Sequence, residues 1–214
     1  GPFGRLYRLT NGAGICFYDS RSRIMLPDTF DETGEFSEGF CAVGRDGLFT
    51  YMNEEGRLLG EMRFQEAQAF QHGFAVVMQN SLYGLIDNTG KSVLACRYEG
   101  IGSVSEGLIK VYQNGKCAYF GTNGKIKIPF MANCAVSEAG FDGFSNGLTR
   151  IKRKGKTGFM DTKGKEVIKP IFEQAMDFSS GLAAFRKKDK WGYLDKSGKV
   201  AIPASFDVIN GFKG

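Results

Sequence analysis

The sequence predicts an all-β fold built from a tandem repeat, and two series of regularly spaced residues carry that prediction. The last residue of an Asp-Lys-Ser-Gly type of turn recurs at a nearly constant interval, with one longer gap, at Gly56, Gly90, Gly124, Gly164 and Gly198. Ser22 holds the same place one period before Gly56. The glycine of a Phe-x-x-Gly motif keeps the same period, at Gly39, Gly73, Gly107, Gly147 and Gly181. Two independent markers in one phase, with a period of about 34 residues, indicate a repeat whose short units share a core with their neighbours.

The sixth repeat shows the predicted elements most clearly, taken in chain order. Residues 182–185 are apolar and residues 191–194 are rich in aromatic, β-compatible side chains, so both are predicted strands. The tetrapeptide at 195–198 fits a type I turn whose first residue, an Asp, accepts backbone N–H groups. A third strand at 200–202 is predicted to stop at Pro203, which cannot donate to a ladder. Each repeat is therefore predicted to be a three-stranded antiparallel meander.

Aromatic residues of the connecting segments are predicted to fill the space between consecutive meanders. One series stands eight residues after the turn site, at Phe30, Phe64, Tyr98, Phe172 and Phe206. A second series stands three residues before the Phe-x-x-Gly glycine, at Phe36, Phe70, Val104, Phe144, Phe178 and Phe212. Both series are assigned to the core and not to a ligand platform.

The repeats are predicted to form a single domain over residues 5–214. Its six units span about 5–38, 39–72, 73–106, 107–146, 147–180 and 181–214. An open superhelical array is favoured over a closed, six-bladed, propeller-like ring, because a unit of about 34 residues is short for a four-stranded blade. The six-residue surplus of the fourth unit, around 131–141, is predicted to be a longer rim loop. Residues 1–4 read as the remnant of an expression tag, so the native N-terminus is expected to be missing.

The segment at 191–199, Trp-Gly-Tyr-Leu-Asp-Lys-Ser-Gly-Lys, resembles the WG-containing repeat of bacterial proteins. Residues 158–173 and 85–91 are further matches, with Tyr83 in the place of the tryptophan. The resemblance implies a β-repeat scaffold with no catalytic residues to carry over. Only one copy keeps Trp, so this residue is predicted to have a packing role; the other copies hold Ile15, Phe49, Tyr83, Cys117 and Thr157.

No catalytic, metal or cofactor site is predicted, and the chain is predicted not to be an enzyme. The single histidine, His72, is assigned to a solvated turn, because its sister positions hold Glu38, Glu106, Asn146 and Ser180. One histidine supports no catalytic constellation. The glycine-rich stretches are turns at strand ends, so none of them is a phosphate loop that opens a helix.

Acidic residues recur directly after the first series of aromatics, at Asp31, Gln65, Glu99, Glu173 and Asp207, with one Gln among them. Carboxylates in register can bind cations. The interruption at Gln65 favours another role, in which each side chain accepts backbone N–H groups in its own connecting loop. The turn aspartates Asp19, Asp87, Asp161 and Asp195 are given the same explanation.

The five cysteines are predicted to be reduced and packed. Their number is odd, no pair has C-x-x-C spacing, and Cys41 and Cys117 occupy core-type positions. Unpaired cysteines favour a reducing, cytoplasmic environment. No apolar run approaches the length needed to cross a membrane.

Basic residues concentrate in the last two repeats. Residues 1–149 hold 13 Lys and Arg against 16 Asp and Glu, a net charge of −3, whereas residues 150–214 hold 15 against 7, a net charge of +8. Much of the excess lies between the first and second strands of the fifth and sixth repeats, in loops that neighbouring repeats are expected to bring together. The predicted partner-binding residues are Lys152, Arg153, Lys154, Lys156, Arg186, Lys187, Lys188 and Lys190.

The sequence thus predicts a non-enzymatic scaffold that mediates protein–protein interaction through rim loops, with an acidic protein as the partner. A basic patch attracts acidic protein, nucleic acid or an anionic surface by Coulomb steering. The alternatives are a glycan-binding module, which would use exposed aromatics on successive repeats, and nucleic-acid binding through the basic loops. Aromatics that base stacking needs are scarce in those loops. A further interpretation is that the lysines only keep an exposed hairpin soluble.

Overall fold

The computed structural model describes residues 5–132 and 143–209, in which all regular secondary structure is β. The first three sheets contain β1 (Leu6–Asn11), β2 (Gly14–Asp19) and β3 (Ile24–Phe30); β4 (Glu32–Thr33), β5 (Phe40–Arg45) and β6 (Leu48–Asn53); and β7 (Glu66–Ala67), β8 (Phe74–Gln79), β9 (Leu82–Asp87) and β10 (Ser92–Tyr98). The last three contain β11 (Gly100–Ser105), β12 (Leu108–Gln113), β13 (Lys116–Gly121) and β14 (Ile126–Met131); β15 (Leu148–Arg153), β16 (Lys156–Asp161) and β17 (Glu166–Phe172); and β18 (Gln174–Ala175), β19 (Leu182–Lys187), β20 (Lys190–Asp195) and β21 (Val200–Phe206).

Every sheet follows chain order, so each is an antiparallel meander and none closes on itself. The predicted all-β tandem repeat of six meanders is confirmed, but three of the sheets have four strands instead of the predicted three, because a strand of the connecting segment adds to the meander. The strands belong to two compact units, Gly1–Ile101 and Gly102–Gly214. The single domain over 5–214 and the open array stay predictions. Residues 1–4 and nearly all of the predicted rim loop around 131–141 lie outside the described residues.

The first two strands of a repeat are joined by a two-residue turn, which is shorter than the predicted basic loops. Arg153 pairs with Lys156, and Lys187 pairs with Lys190. The central residues have φ values of 50° and 76° in the fifth repeat and 50° and 60° in the sixth. Positive φ at both positions is the type I′ geometry, whose twist matches that of the flanking strands. The basic side chains are therefore held on stiff hairpins.

The predicted type I turns between second and third strands are confirmed. Asp195 O accepts a hydrogen bond from Gly198 N at 2.9 Å, and the Asp195 Oδ1 accepts from the backbone N of Ser197 and Lys199 at 2.9 and 3.0 Å. In the fourth repeat, where Gly121 replaces the Asp, Asn123 Oδ1 accepts from Lys125 N at 3.1 Å instead. The carboxylate thus closes the turn on its own backbone and has no catalytic geometry.

The third strand of the sixth repeat does not stop at Pro203, which corrects the prediction. β21 continues to Phe206, and Tyr193 pairs with Ile202 while Trp191 pairs with Phe206, with a register shift between the two pairs. β21 is an outer strand of its sheet. A proline is tolerated at an edge strand or bulge because its missing N–H removes no necessary ladder bond.

Within each compact unit the core lies between successive sheets. Between the fifth and sixth repeats it contains Phe159, Ile168, Phe172 and Phe178 on one side and Ala183, Phe185 and Leu194 on the other. We call the first type of surface the front face of a repeat and the second type its back face. The predicted core aromatics Phe30, Phe64, Tyr98 and Phe172 are buried, whereas Phe206 is exposed, against the prediction.

The cysteines follow the prediction only in part. Cys16 and Cys41 are buried free thiols, and Cys96 is a half-buried free thiol. Burial raises the pKa of Cys41 to about 11, so the group stays protonated near neutral pH. Cys117 is buried but disulfide-bonded, so its prediction as a reduced thiol is wrong. A disulfide depends on approach in space, which spacing in the sequence does not reveal. A disulfide-bonded Cys117 removes the support that unpaired cysteines gave to a reducing environment. Within residues 5–132 and 143–209, no helix is long and apolar enough to span a membrane.

Candidate binding surface

The predicted partner-binding residues lie at one end of two neighbouring hairpins, and we call this surface the basic edge. It comprises the β15–β16 and β19–β20 hairpin ends with Lys152, Arg153, Lys154, Lys156, Arg186, Lys187, Lys188 and Lys190. Arg186 and Lys190 are half-buried and the other six are exposed. The alternation of a strand directs neighbouring side chains to opposite faces, so the cations surround each hairpin end.

Glu173 lies between the two hairpins. Its Oε1 accepts a hydrogen bond from Lys188 N at 3.0 Å and lies 4.0 Å from Lys156 Nζ. One carboxylate therefore faces the turn of the sixth repeat and a lysine of the fifth, so the two hairpins lie side by side. The hydrogen bond from the Lys188 backbone is the main cause that holds the pKa of Glu173 below its ordinary value, and the carboxylate stays ionised.

Half of the cations of the basic edge have a carboxylate partner. Arg153 pairs with Glu166 at 2.8 Å and Arg186 with Asp189 at 2.8 Å. Lys156 faces Glu173, and Lys190 pairs with Asp207. The remaining four make no ion pair within the described residues: Lys152, Lys154, Lys187 and Lys188. The uncompensated positive charge of the edge is carried by these four lysines.

Three of the residues that follow the core aromatics cap hairpin turns, and each of these turns belongs to the next repeat. Asp31 Oδ2 accepts from Asp46 N at 2.8 Å, and Gln65 Oε1 accepts from Ser81 N at 3.0 Å. Glu173 acts in the same way on the sixth repeat. For these three residues capping is confirmed, whereas its predicted location in the residue's own loop is wrong, and Asp207 pairs with Lys190 instead. The signal in the sequence that could have shown this was the constant separation between each acceptor and the hairpin turn that follows it. No group of three or more acidic, His or Cys side chains in the described part of the chain could hold a metal ion.

A second set of turns, at the Phe-x-x-Gly glycines, is also connected between repeats. The Glu38 carboxylate accepts from His72 N and Gly73 N, each at 2.7 Å. Glu106 accepts from Gly147 N at 3.0 Å with both oxygens. His72 is exposed and has a φ of 53°, so its prediction as a turn residue is confirmed.

A cleft of about 580 Å³ in the first compact unit was not predicted from the sequence. It is lined by Glu32, Gly47, Phe49, Gln65, Glu66, Ala67 and Gln68. Tyr83 Oη donates to Glu66 Oε2 at 3.3 Å beside it. The lining contains residues of two repeats. Glu32 and Glu66 hold equivalent positions in successive repeats, and this equivalence could have predicted the cleft from the sequence. The cleft offers carboxylate and amide oxygens but no nucleophile next to a base.

Comparison with solved structures found distant likenesses. The chain matches KlHsv2 with its loop 6CD replaced by a Gly-Ser linker at 12% identity and a TM-score of 0.46, covering 79% of this chain and 65% of that one. It matches Kluyveromyces lactis Hsv2 with complete loop 6CD at 10% identity and a TM-score of 0.45, covering 91% and 71%. PorZ of Porphyromonas gingivalis gives 10% identity and a TM-score of 0.39, covering 96% and 31%. The chain spans less than two thirds of the first of these structures, and at these scores none informs its function.

The sequence comparisons found a family but no individual curated protein. No curated protein matches the chain. The family profile described as "WG containing repeat" matches it four times, at residues 49–83, 83–117, 158–191 and 191–214. These matches cover more than half of the chain, and their boundaries at residues 49, 83, 117, 158 and 191 fall within the second strands β6, β9, β13, β16 and β20. The chain therefore belongs to the family of WG-containing repeat proteins.

Proposed function

We propose that this chain is a non-enzymatic scaffold that binds an acidic protein through the basic edge. The observation that supports this most strongly is that Lys152, Lys154, Lys187 and Lys188 are exposed and make no ion pair within the described residues. Like charges on neighbouring exposed hairpins repel one another, so their grouping does not stabilise the fold. The negative charge of an acidic partner would reduce this repulsion and would attract the four lysines.

The stiffness of the hairpins adds to this support. Each type I′ turn contributes only two residues outside the strands, and Glu173 holds the turn of the sixth repeat through its backbone. A partner that binds here would order lysine side chains but little backbone, which keeps the entropic cost of association low. Exposed charges are screened within about 8 Å at physiological salt, so only charges grouped this closely act together on a partner.

The alternatives have less support. Exposed aromatic rings of the described residues belong to Tyr7, Phe130 and Phe206, in the first, fourth and sixth repeats. A glycan platform needs such rings on successive repeats, and nucleic-acid stacking needs them among the lysines. The proposal that the chain is not an enzyme is supported by the turn aspartates, the exposed His72 and the cleft, which combine no nucleophile with a base.

The test compares two sets of four charge reversals. In the first, Lys152, Lys154, Lys187 and Lys188 are all replaced by Glu. In the matched control, Lys163, Lys165, Lys196 and Lys199 are replaced by Glu; they lie at the opposite ends of β16 and β20 and change the net charge equally. The probe is a fluorescently labelled oligoglutamate peptide followed by anisotropy. We expect the first set to weaken binding by at least about tenfold and the control by no more than about twofold.

Equal weakening in both sets would mean that the peptide senses net charge only and would overturn the proposal. The same titration with single-stranded DNA of equal charge separates the partner classes. DNA binding that is tighter at the same salt, with log K falling linearly with log salt, would favour the nucleic-acid alternative. Binding of neutral oligosaccharides that neither set affects would favour the glycan alternative.

A further inference from the structure

The cleft of the first compact unit has an aromatic wall because of a glycine in the second repeat. Glu32 pairs with Gly44 between β4 and β5, and Gly44 pairs with Phe49 between β5 and β6. Residues that pair in this way share one face of a sheet, so the three form a row. A methyl group on Gly44 would lie 2.6 Å from a ring carbon of Phe49, so the ring lies over this glycine. The equivalent positions of the other repeats hold larger side chains: Thr10, Met78, Tyr112, Lys152 and Arg186.

A second wall of the cleft belongs to the third sheet, in which β7 is an outer strand. Residues 65–68 form this wall. Gln65 Oε1 accepts a hydrogen bond from Ser81 N at 3.0 Å, and Gln68 O accepts one from the hydroxyl of the buried Tyr51 at 2.5 Å. These bonds tie the wall to its own sheet and to the sheet before it. The cleft is therefore preformed, and its volume of about 580 Å³ falls in the range of about 300–1,000 Å³ that ligand pockets occupy.

The cleft carries negative charge that no ion pair of the described residues neutralises. Glu32 and Glu66 are exposed, and neither pairs with a cation within residues 5–132 and 143–209. The seven residues that line the described cleft include no Lys or Arg. The first compact unit, residues 1–101, holds 9 Lys and Arg against 13 Asp and Glu, a net charge of −4. Both the cleft and its surroundings therefore attract cations.

The residue types in the cleft favour an organic cation over a metal ion. Calcium and magnesium take about six or more oxygen ligands, which two carboxylates do not supply. A guanidinium group instead stacks on an aromatic ring and donates parallel N–H groups to a carboxylate. Phe49 offers the ring, and Glu32 and Glu66 offer the carboxylates. Arginine fits these partners better than lysine, because its planar group has five donors in a fixed geometry whereas an ammonium group is a point charge.

We propose that this cleft binds an arginine side chain in a basic peptide segment of another protein. The guanidinium stacks on Phe49 and donates to Glu32 and Glu66, while the peptide on either side of the arginine lies along residues 65–68. The cleft is larger than a guanidinium group, so these flanking residues contribute to binding. The site lies in the first compact unit and is independent of the basic edge, which lies in the second.

An NMR titration of the uniformly labelled chain with the peptide acetyl-Gly-Gly-Arg-Gly-Gly-amide tests the proposal. We expect shift changes at the backbone amides of Glu32, Phe49 and residues 65–68, with a dissociation constant of about 1 mM. The same peptide with citrulline has the shape of arginine without its charge and should bind at least about tenfold more weakly. The peptide with lysine should bind at least about threefold more weakly.

Two variants locate the binding in the cleft. Glu32→Gln combined with Glu66→Gln removes both charges but keeps an oxygen at each side chain, and we expect it to weaken binding at least about tenfold. Phe49→Leu removes the ring while all charges remain, and we expect a loss of about threefold to tenfold. The amide spectrum of each variant also reports whether it folds.

The matched control is Glu54→Gln combined with Glu55→Gln. Both residues are exposed, lie in the same compact unit and make no ion pair within the described residues, and the net charge changes equally. This control should change the dissociation constant by no more than about twofold.

Three results would overturn the arginine site: no shift change up to about 10 mM peptide, equal binding of the citrulline or lysine peptide, or equal weakening in the control variant. Free N-acetyl-arginine amide should bind at least about threefold more weakly than the peptide, because it lacks the flanking residues. Equal binding of the free compound would overturn the peptide as the ligand. These titrations change no residue of the basic edge, so their failure is distinguishable from a failure of the proposed function.

Discussion

Gly192, the glycine that follows the tryptophan of the repeat, lies where the third strand passes close to the second. A methyl group at this position would lie 2.5 Å from Ile202 O and 2.7 Å from Ala204 N. Gly158, its equivalent in the fifth repeat, has the same surroundings, with Ile168 O at 2.4 Å. Both obstacles are backbone atoms that cannot rotate away. The glycine of the motif is therefore required for close approach of two strands.

We expect Gly192→Ala to lower the free energy of unfolding by about 1–3 kcal/mol, the range for overpacking a filled site. Gly12→Ala is the control, because a methyl group there meets nothing within 4 Å. Urea denaturation followed by circular dichroism measures both changes. A Gly192→Ala chain as stable as the control would show that the strand shifts without cost and that the close approach is not required.

Asp19 is the buried counterpart of the turn aspartates and makes stability depend on pH. Arg5 Nε donates to its Oδ1 at 3.0 Å, and Ser22 Oγ donates to its Oδ2 at 2.7 Å. The hydrogen bond from Arg5 is the main cause that holds the pKa of Asp19 well below its ordinary value. Since the folded state binds this proton less tightly than the unfolded state, the stabilisation is present above the ordinary Asp pKa of about 3.9 and is lost as the pH falls below it.

The corresponding prediction concerns Asp19→Asn. This variant should be less stable than the wild type at neutral pH and should lose less stability when the pH is lowered from about 5 to about 3. Lowered pKa values at Asp87, Glu173 and Asp195 keep some acid sensitivity in the variant. Urea midpoints at both pH values give the comparison. Identical acid sensitivity in the two proteins would show that Asp19 does not contribute to the pH dependence of stability.

At the scale of the strand and turn, neighbouring repeats are connected by side chains that cap the turns of the next repeat. Glu38 caps the turn at His72 and Gly73, while Asp31 caps the hairpin turn at Asp46. A carboxylate that accepts backbone N–H groups forms a charge-assisted hydrogen bond, which is stronger than a neutral one. These contacts connect successive turns directly, in addition to the packing of the core between the repeats.

We expect Glu38→Ala to make the amide protons of His72 and Gly73 exchange with solvent about threefold to tenfold faster, the equivalent of one lost hydrogen bond. Hydrogen exchange followed by NMR resolves these two amides. Glu61→Ala, an exposed acidic residue of the same compact unit, serves as the control and should leave them unchanged. Unaltered exchange in Glu38→Ala would mean that backbone geometry alone protects the turn.

The elements differ in how far the sequence could predict them. The type I turns of the third, fifth and sixth repeats were predictable because an Asp and a Gly three residues apart mark each of them. The hairpin turns at Asn80–Ser81 and Lys188–Asp189 contain no glycine, although both central residues have positive φ. Without that glycine signal, the basic run of the sixth repeat reads as a loop. The extent of β21 was missed because a proline marks a strand end only when its N–H would be needed in the ladder.

For the whole molecule, the position of the basic edge was predictable from the sequence. Which of its cations are paired with carboxylates of the same chain was not. Neighbouring repeats place equivalent residues side by side, so two lysine-rich runs one period apart indicate one surface. The partners of Arg153 and Lys190 are Glu166 in β17 and Asp207 just after β21. The register of these third strands contains shifts that the sequence pattern does not show. Half of the predicted cations were therefore expected to act on a partner although they are paired within the chain.

An NMR titration shows most directly whether the four unpaired lysines of the basic edge bind an acidic partner. Uniformly labelled protein is titrated with oligoglutamate, and the backbone amide shifts are followed residue by residue. We expect shift changes confined to residues 152–156 and 186–190 and to the adjoining Glu173. Changes of similar size at 161–165 and 195–199, at the opposite ends of the same hairpins, would contradict it and would show that the peptide responds to positive charge anywhere on these repeats.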